Sequence, residues 1–250
     1  MSLRQNAQLA ASIVRDKASD SLRRRGGLGS AIYLTRNCLR LARSLRFRIR
    51  EVAYDREMSV ETDRLIAAGD LGLEQQKIVG LAVNANGIAY QATPAWMLTN
   101  ILKNLSISYP DYSFVDFGSG MGRAVLMAAE FPFRSVVGIE FSRELHCVAE
   151  TNLRRSPAKR RRAASLELLC MDAAGYQLPD GNCIVYMFNP FREAVMKGVL
   201  ATLERRQRSS ASELYVIYLN PVLAHLLDAA PFLRRTTTSK FYSVYRSFAS

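Results

Sequence analysis

Hydrophobic and polar positions along the chain follow two different patterns, and the change between them falls near residue 111. From there on, short apolar runs of strand length alternate with longer segments in which apolar residues recur three or four positions apart. Buried parallel strands are continuously apolar, whereas the helices that cover a sheet are amphipathic. The pattern therefore predicts a doubly wound α/β fold with a mostly parallel sheet.

Five apolar runs predict the parallel strands, and the last segment predicts an antiparallel C-terminal hairpin of two strands joined by a tight turn. Ligands of such sheets bind at the carboxyl ends of the strands, where the strand order reverses. The predicted strands lie at 111–117, 135–140, 165–172, 182–188 and 213–219, with the hairpin at 232–248.

The first 50 residues differ from the rest because they hold 12 of the 34 Lys and Arg residues and only two acids. Apolar residues recur at helical spacing through 31–54 and arginines fill most of the intervening positions, which predicts a basic amphipathic helix. We therefore divide the chain into a basic, mainly helical N-terminal extension, 1–85, and a domain at 86–250. Two interpretations of the extension are open. Either its helix packs on the domain, or residues 23–50 contact an anionic membrane surface or nucleic acid.

Composition narrows the class of protein further. A hydrophobic fraction of 49% is enough for a buried core, and no apolar run approaches the roughly 18 residues that cross a membrane. The start of the chain lacks the long apolar segment of a secretory signal. The four cysteines form no CxxC pair, so neither a disulfide scaffold nor a zinc site is expected. We expect a cytoplasmic protein without a metal, peripheral at the membrane if the extension binds lipid.

The sharpest local motif is the glycine turn, 116–122, with the sequence Asp-Phe-Gly-Ser-Gly-Met-Gly between a predicted strand and a predicted helix. Glycines at this place let the backbone approach a ligand closely. The spacing is GxGxG, whereas nicotinamide-binding proteins have GxGxxG, whose third glycine would fall at Arg123. Asp116, directly before the glycines, is an acid that the dinucleotide pattern does not require.

Further polar residues lie at the ends of three other predicted strands. Glu140 ends the second strand, 18 residues after Gly122, where a carboxylate can accept from both hydroxyls of a ribose. Asp172 ends the third strand, beside Ala173, where an acid can accept from an adenine amino group. The segment 189–191 ends the fourth strand, next to the first. Because these strand ends meet at one edge of the sheet, they predict a nucleoside ligand.

The run 114–155 resembles the nucleoside-binding half of a class I S-adenosylmethionine-dependent methyltransferase, and the resemblance covers about residues 86–250. It implies a seven-stranded sheet with a reversed last strand and S-adenosyl-L-methionine as the cofactor. It also implies a role for each matching residue. Asp116 would lie near the ammonium group of the cofactor, and its methionine part would lie along Gly118, Ser119, Gly120 and Gly122. Glu140 would bind the ribose. Phe141 would lie against the adenine ring, and Asp172 and Ala173 would lie at the adenine edge.

The segment Asn189-Pro190-Phe191 resembles the Asn-Pro-Pro-aromatic motif of amino-group methyltransferases, without the second proline. In that motif the Asn side chain and a backbone carbonyl hold the nitrogen that is methylated, and the aromatic ring stacks on the substrate. The other interpretation is that Pro190 only starts the next helix at its first turn.

The acceptor that this resemblance implies is a nitrogen on a small molecule or a protein side chain. Two alternatives are open: an RNA or DNA methyltransferase that uses the basic extension, and a catalytically silent cofactor-binding partner protein. Two basic runs, 159–162 and 205–208, are expected in helix-to-strand connections, on the edge of the sheet opposite the ligand site. Basic residues at that edge are badly placed to hold a nucleic acid over the cofactor, so we rank the nucleic-acid alternative second.

Upstream of the sheet, residues 90–94 read Tyr-Gln-Ala-Thr-Pro before a predicted helix, with Thr93 as the expected N-cap. The element resembles the Tyr-x-x-Ser/Thr segment of some protein-lysine methyltransferases, which closes over the cofactor. The resemblance implies that Tyr90 and Thr93 contact the cofactor.

Overall fold

The computed structural model describes residues 51–63, 66–67 and 88–248, with the backbone alone at 66–67 and 88–90. The predicted contact residues of the basic extension, 23–50, lie outside the described residues. Their helix and their partners therefore stay predictions, as does the domain boundary at residue 85.

Nine strands and five α-helices cover the described residues, and 53–58 are helical as well. The strands are β1 (Ile66–Ala67), β2 (Ile88–Tyr90), β3 (Tyr112–Phe117), β4 (Ser135–Glu140), β5 (Leu166–Cys170), β6 (Asn182–Phe188), β7 (Leu214–Leu219), β8 (Leu233–Thr238) and β9 (Tyr242–Ser247). The helices are α1 (Ala95–Lys103), α2 (Arg123–Ala129), α3 (Arg143–Arg155), α4 (Glu193–Ser209) and α5 (Ala224–Asp228).

Seven of the strands form one sheet in the order β5-β4-β3-β6-β7-β9-β8. Strands β3 to β7 pair in parallel, and β9 runs antiparallel to both of its neighbours, β7 and β8. This confirms the predicted fold, including the C-terminal hairpin. The chain moves outward from β3 to β5 and then returns to β6 on the other side of β3. The carboxyl ends of β3 and β6 therefore flank the point where the strand order reverses, which is where such sheets bind ligands.

Successive residues of the central strands are buried on opposite faces of the sheet, which explains why the strands are continuously apolar. Phe114 belongs to the core that α1 and α2 cover, whereas its neighbour Val115 belongs to the core that α4 covers. All six residues of β3 and of β7 are buried. In the part of the chain that the structure describes, no helix is long and apolar enough to cross a membrane.

Candidate functional site

The glycine turn after β3 depends on three residues with left-handed backbone conformations. The φ angles of Gly118, Gly120 and Gly122 are 81°, 53° and 86°, a region that residues with a Cβ atom adopt at a cost. The N–H groups of Gly118 and Ser119 donate to the carbonyl oxygen of Ile139 at 2.8 and 2.9 Å. The turn is thereby attached to the end of β4, the neighbouring strand.

Glu140 fixes the same turn from the end of β4. Its two carboxylate oxygens accept from the backbone N–H groups of Gly120 and Ser142, both at 2.8 Å. Burial raises the pKa of Glu140, and these hydrogen bonds oppose that rise because they favour the charged form. Each oxygen keeps a lone pair, so the carboxylate can still accept from a ligand.

Asp116, at the end of β3, is buried with 2% of its surface exposed. Among the described residues no group donates a hydrogen bond to its carboxylate. Burial and the nearby charge of Glu140 raise its pKa well above the ordinary value. A buried carboxylate without donors is costly unless a cation binds to it. The hydroxyl of Ser119 is also buried and has no partner within the described residues. The turn therefore fits a ligand that carries a positive charge and a hydrogen-bonding group.

The predicted adenine-side residues lie at the carboxyl ends of β4 and β5. Phe141 follows Glu140 directly and its side chain is exposed. Asp172 is also exposed, and its Oδ1 atom accepts from the N–H of Ala174 at 2.9 Å, at the start of a short 3-10 helix. Ala173 is buried below it. An exposed aromatic ring and an exposed carboxylate at neighbouring strand ends are suited to a flat, hydrogen-bonding ligand.

The corner Asn189-Pro190-Phe191 follows β6 and contacts the glycine turn. A Cβ atom added to Gly118 would lie 2.5 Å from the Cβ atom of Pro190. Asn189 has a φ of 42°, and its Oδ1 atom accepts from the hydroxyl of Tyr218 at 2.9 Å. Helix α4 has Arg192 as its N-cap, so Pro190 lies before the helix. The alternative that this proline starts the helix at its first turn is therefore wrong.

Phe191 differs from the expectation that its ring stacks on a substrate, since its side chain is buried in the core beneath α4. Its packing there anchors the corner.

The upstream element differs from expectation at Thr93. The N-cap of α1 is Pro94, without a side-chain hydrogen bond to the helix, so the prediction of Thr93 as the cap is wrong. The buried hydroxyl of Thr93 lies 2.7 Å from the hydroxyl of Tyr186 on β6, which takes the place of the cap bond. Tyr90 ends β2, and its side chain lies outside the described residues.

Sequence reasoning missed a buried ionic network beside the glycine turn. Arg123, the first residue of α2, is 1% exposed. Its Nη2 atom donates to Asp55 at 2.8 Å and its Nε atom to the Thr62 hydroxyl at 2.5 Å. Asp55 in turn accepts from the backbone N–H groups of Thr62 and Asp63 at 2.6 and 2.7 Å. The sequence signal that could have revealed this network is a single arginine, Arg123, in an otherwise apolar helix.

A second polar contact attaches the same upstream segment, 53–63. The Asn152 side chain, on α3, donates to the carbonyl oxygens of Met121 at 3.0 Å and Glu61 at 3.2 Å. It also accepts from the N–H of Glu61 at 3.0 Å. Arg123 and Asn152 thus hold this segment against the glycine turn from two helices.

In the described part of the chain, no group of three His, Cys, Asp or Glu side chains could hold a metal ion. The basic run 159–162 lies between α3 and β5, as expected. The other basic run, 205–208, does not lie in a helix-to-strand connection as expected. Arg205, Arg206 and Arg208 all lie within α4, which continues to Ser209.

Comparison with known proteins relates the chain to methyltransferases. The sequence model of the family described as "Histone methylation protein DOT1" matches residues 86–162, which is 77 of the 250 residues. No curated protein matches the chain.

Several solved methyltransferase structures are similar in fold. A predicted N6-adenine-specific DNA methylase from Listeria monocytogenes has 14% identity and a TM-score of 0.48, over 64% of this chain and 52% of that one, so the chain spans about half its length. A putative RNA methyltransferase from Pyrococcus horikoshii has 19% identity and a TM-score of 0.45, over 72% and 96% of the two chains. An RNA methyltransferase from Salinibacter ruber, in complex with S-adenosyl-L-homocysteine, has 20% identity and a TM-score of 0.43, over 62% and 92%.

Proposed function

We propose that this chain, which belongs to the class I S-adenosylmethionine-dependent methyltransferases, methylates a nitrogen atom of a small molecule or a protein side chain at the corner Asn189-Pro190-Phe191. The observation that carries the proposal is the direct contact of this corner with the glycine turn, through Pro190 and Gly118. S-adenosyl-L-methionine is the cofactor, and it supplies an activated methyl group on a sulfonium. The protein then has to align a nucleophile with that group and exclude water.

The cofactor-binding roles follow from the polar groups that lack partners or keep acceptor capacity. The buried Asp116 carboxylate binds the ammonium group, and the Ser119 hydroxyl donates to the methionine carboxylate. Glu140 accepts from the ribose hydroxyls with its remaining lone pairs. On the adenine side, Phe141 offers an exposed ring face, and Asp172 beside Ala173 offers an acceptor.

Asn189 is proposed to orient the acceptor nitrogen. Its Oδ1 atom accepts one hydrogen bond from Tyr218 and keeps a second lone pair for an N–H group of the acceptor. Such a bond directs the lone pair of a neutral amine away from Asn189 and toward the cofactor. Pro190 restricts the backbone that carries this group, because its ring fixes φ.

The substitution Asn189→Ala tests this role. We expect turnover to fall about 10- to 100-fold, the effect of losing one positioning hydrogen bond, while cofactor affinity stays nearly unchanged. Turnover is measured as transfer of labelled methyl groups from the cofactor into amines of a cell extract, and affinity by calorimetry. Asn104→Ala, an exposed asparagine at the end of α1, is the matched control. A fall in cofactor affinity equal to the fall in turnover would assign Asn189 to the cofactor or to folding.

A deletion separates the catalytic unit from the basic extension. Removing residues 1–50 leaves 53–63 attached to the glycine turn, so we expect cofactor affinity to stay within about twofold of the full chain. Removing 1–63 also deletes Asp55 and should give unstable or insoluble protein. Calorimetry of the soluble forms makes the comparison.

The same deletion tests the RNA or DNA alternative. If residues 23–50 bind polyanions, the full chain should bind RNA or anionic vesicles, more weakly as salt rises from about 50 to 200 mM, and the shortened chain should bind neither. A preference for RNA over vesicles would favour the nucleic-acid alternative. Cofactor binding without methyl transfer to any acceptor would favour the silent partner protein.

A further inference from the structure

Of the four exposed large hydrophobic side chains that the structure describes, three lie at one edge of the sheet. Within 53–248, those that the structure describes are Phe141, Val222 and Phe241, with 37%, 65% and 57% of their surfaces exposed. Phe141 follows β4 and Val222 follows the end of β7. Phe241 precedes β9, whose first residue pairs with the last residue of β7. All three therefore lie at the carboxyl edge, where the sheet binds ligands. Val222 and Phe241 follow and precede paired strand ends and are both exposed, so they offer apolar surface for a ligand at this edge.

A second Asn-Pro corner lies beside the first one. Asn220 and Pro221 follow β7 as Asn189 and Pro190 follow β6, and the final residues of these two strands, Phe188 and Leu219, are paired. Both asparagines are left-handed, with φ of 42° and 46°. The two corners therefore lie next to each other at the carboxyl edge of the sheet.

Tyr218 connects the two corners. Its hydroxyl donates to Asn189 at 2.9 Å and accepts from the N–H of Leu223, in the second corner, at 3.3 Å. The N–H of Asn220 donates to the carbonyl oxygen of Phe241 at 2.8 Å, which connects the β8–β9 turn to the second corner. Val222 and Phe241 are thus held in a fixed relation to the Asn189 carboxamide.

We propose that Val222 and Phe241 bind the apolar body of the methyl acceptor while its nitrogen lies at Asn189. The proposal rests on the function proposed above and names the acceptor class, an amine attached to an aromatic or aliphatic body. Neighbouring strands lie about 4.8 Å apart, so β6 and β9, with β7 between them, are about 10 Å apart. A body of about that length extends from Asn189 past Val222 to Phe241. Phe141 lies on the other side of the glycine turn, at β4, so the two apolar surfaces do not compete for one ligand.

Phenylbutylamine and butylamine are suitable probes because they differ only in the aromatic ring. Binding to the full chain, saturated with S-adenosylhomocysteine, is measured by saturation-transfer NMR, and methylation by label transfer from S-adenosylmethionine. The variants are Val222→Ser, Phe241→Ser and the two combined. Phe248→Ser is the matched control, since it removes an aromatic ring just beyond β9, at the opposite edge of the sheet.

We expect wild type and Phe248→Ser to bind phenylbutylamine at least about tenfold more tightly than butylamine. The double variant should lose most of that preference and keep its affinity for S-adenosylmethionine. Equal binding of the two amines by wild type, no binding of phenylbutylamine, or an unchanged preference in the double variant would overturn the proposal.

The two readouts distinguish this proposal from the proposed function. If phenylbutylamine binding depends on Val222 and Phe241 but neither amine is methylated, the apolar subsite stands and nitrogen methylation is in error. If both amines are methylated equally by wild type and by the double variant, nitrogen methylation stands and the subsite is wrong.

Discussion

Replacing Arg123 by alanine is expected to lower the free energy of unfolding by about 3–5 kcal/mol, the usual cost of removing one partner of a buried ion pair. The substitution leaves Asp55 without its counter-ion and the Thr62 hydroxyl without a donor from the guanidinium. It also releases segment 53–63 from the first turn of α2, next to Gly122. Urea unfolding followed by circular dichroism measures the change in stability.

Arg160→Ala is the control for this substitution. Arg160 pairs with Glu57 and Glu130, but its side chain is 31% exposed, so we expect a loss below about 1 kcal/mol. The double variant Asp55→Asn, Arg123→Met gives a second check, because it removes both charges and keeps an acceptor oxygen for the N–H groups of Thr62 and Asp63. It should be more stable than Arg123→Ala alone. Equal effects of Arg123→Ala and Arg160→Ala would show that the buried network contributes little.

The fold could be predicted from sequence because its information is local. A strand such as β3, buried on both faces, has to be continuously apolar, and a helix such as α3 shows its one buried stripe at regular spacing. Asp116 and Glu140 could be placed for a similar reason, since each lies at the end of a strand whose limits are visible in the pattern. Parallel topology then brings such ends to one edge without any knowledge of side-chain contacts.

What the sequence could not reveal are contacts between residues far apart in the chain. Thr93 is a good capping residue by local rules, but its hydroxyl is hydrogen-bonded to the hydroxyl of Tyr186, 93 positions away. Arg123 bonds with Asp55, 68 positions upstream, in a stretch that composition assigns to the extension. The pairing of the corners through Tyr218 likewise depends on the order of β6 and β7 in the sheet, not on their spacing in sequence.

Asp116→Asn should produce two opposite effects, a more stable cofactor-free protein and a much weaker affinity for S-adenosylmethionine. The amide removes a buried negative charge that has no donor among the described residues, so we expect a gain of about 1–2 kcal/mol in unfolding free energy. It also removes the only full charge with which this position can bind the ammonium group. The affinity should fall about 100-fold or more, close to 3 kcal/mol. Asp111→Asn, an exposed acid just before β3, is the control and should change neither quantity.

The pH dependence follows from the raised pKa of Asp116 in the folded protein, since the folded state holds the proton more tightly than the unfolded chain does. Relative to Asp116→Asn, the cofactor-free wild type should therefore gain stability as pH falls through the folded-state pKa, and the gain is complete below the unfolded-state value. Cofactor affinity should change the other way, because the ammonium group prefers the ionised carboxylate and protonation competes with it. Calorimetry and urea unfolding over one pH series measure both trends. If Asp116→Asn binds the cofactor as tightly as wild type, the ammonium group lies elsewhere. If the affinity of wild type is flat over the range in which its relative stability rises, the proton and the cofactor do not share this carboxylate.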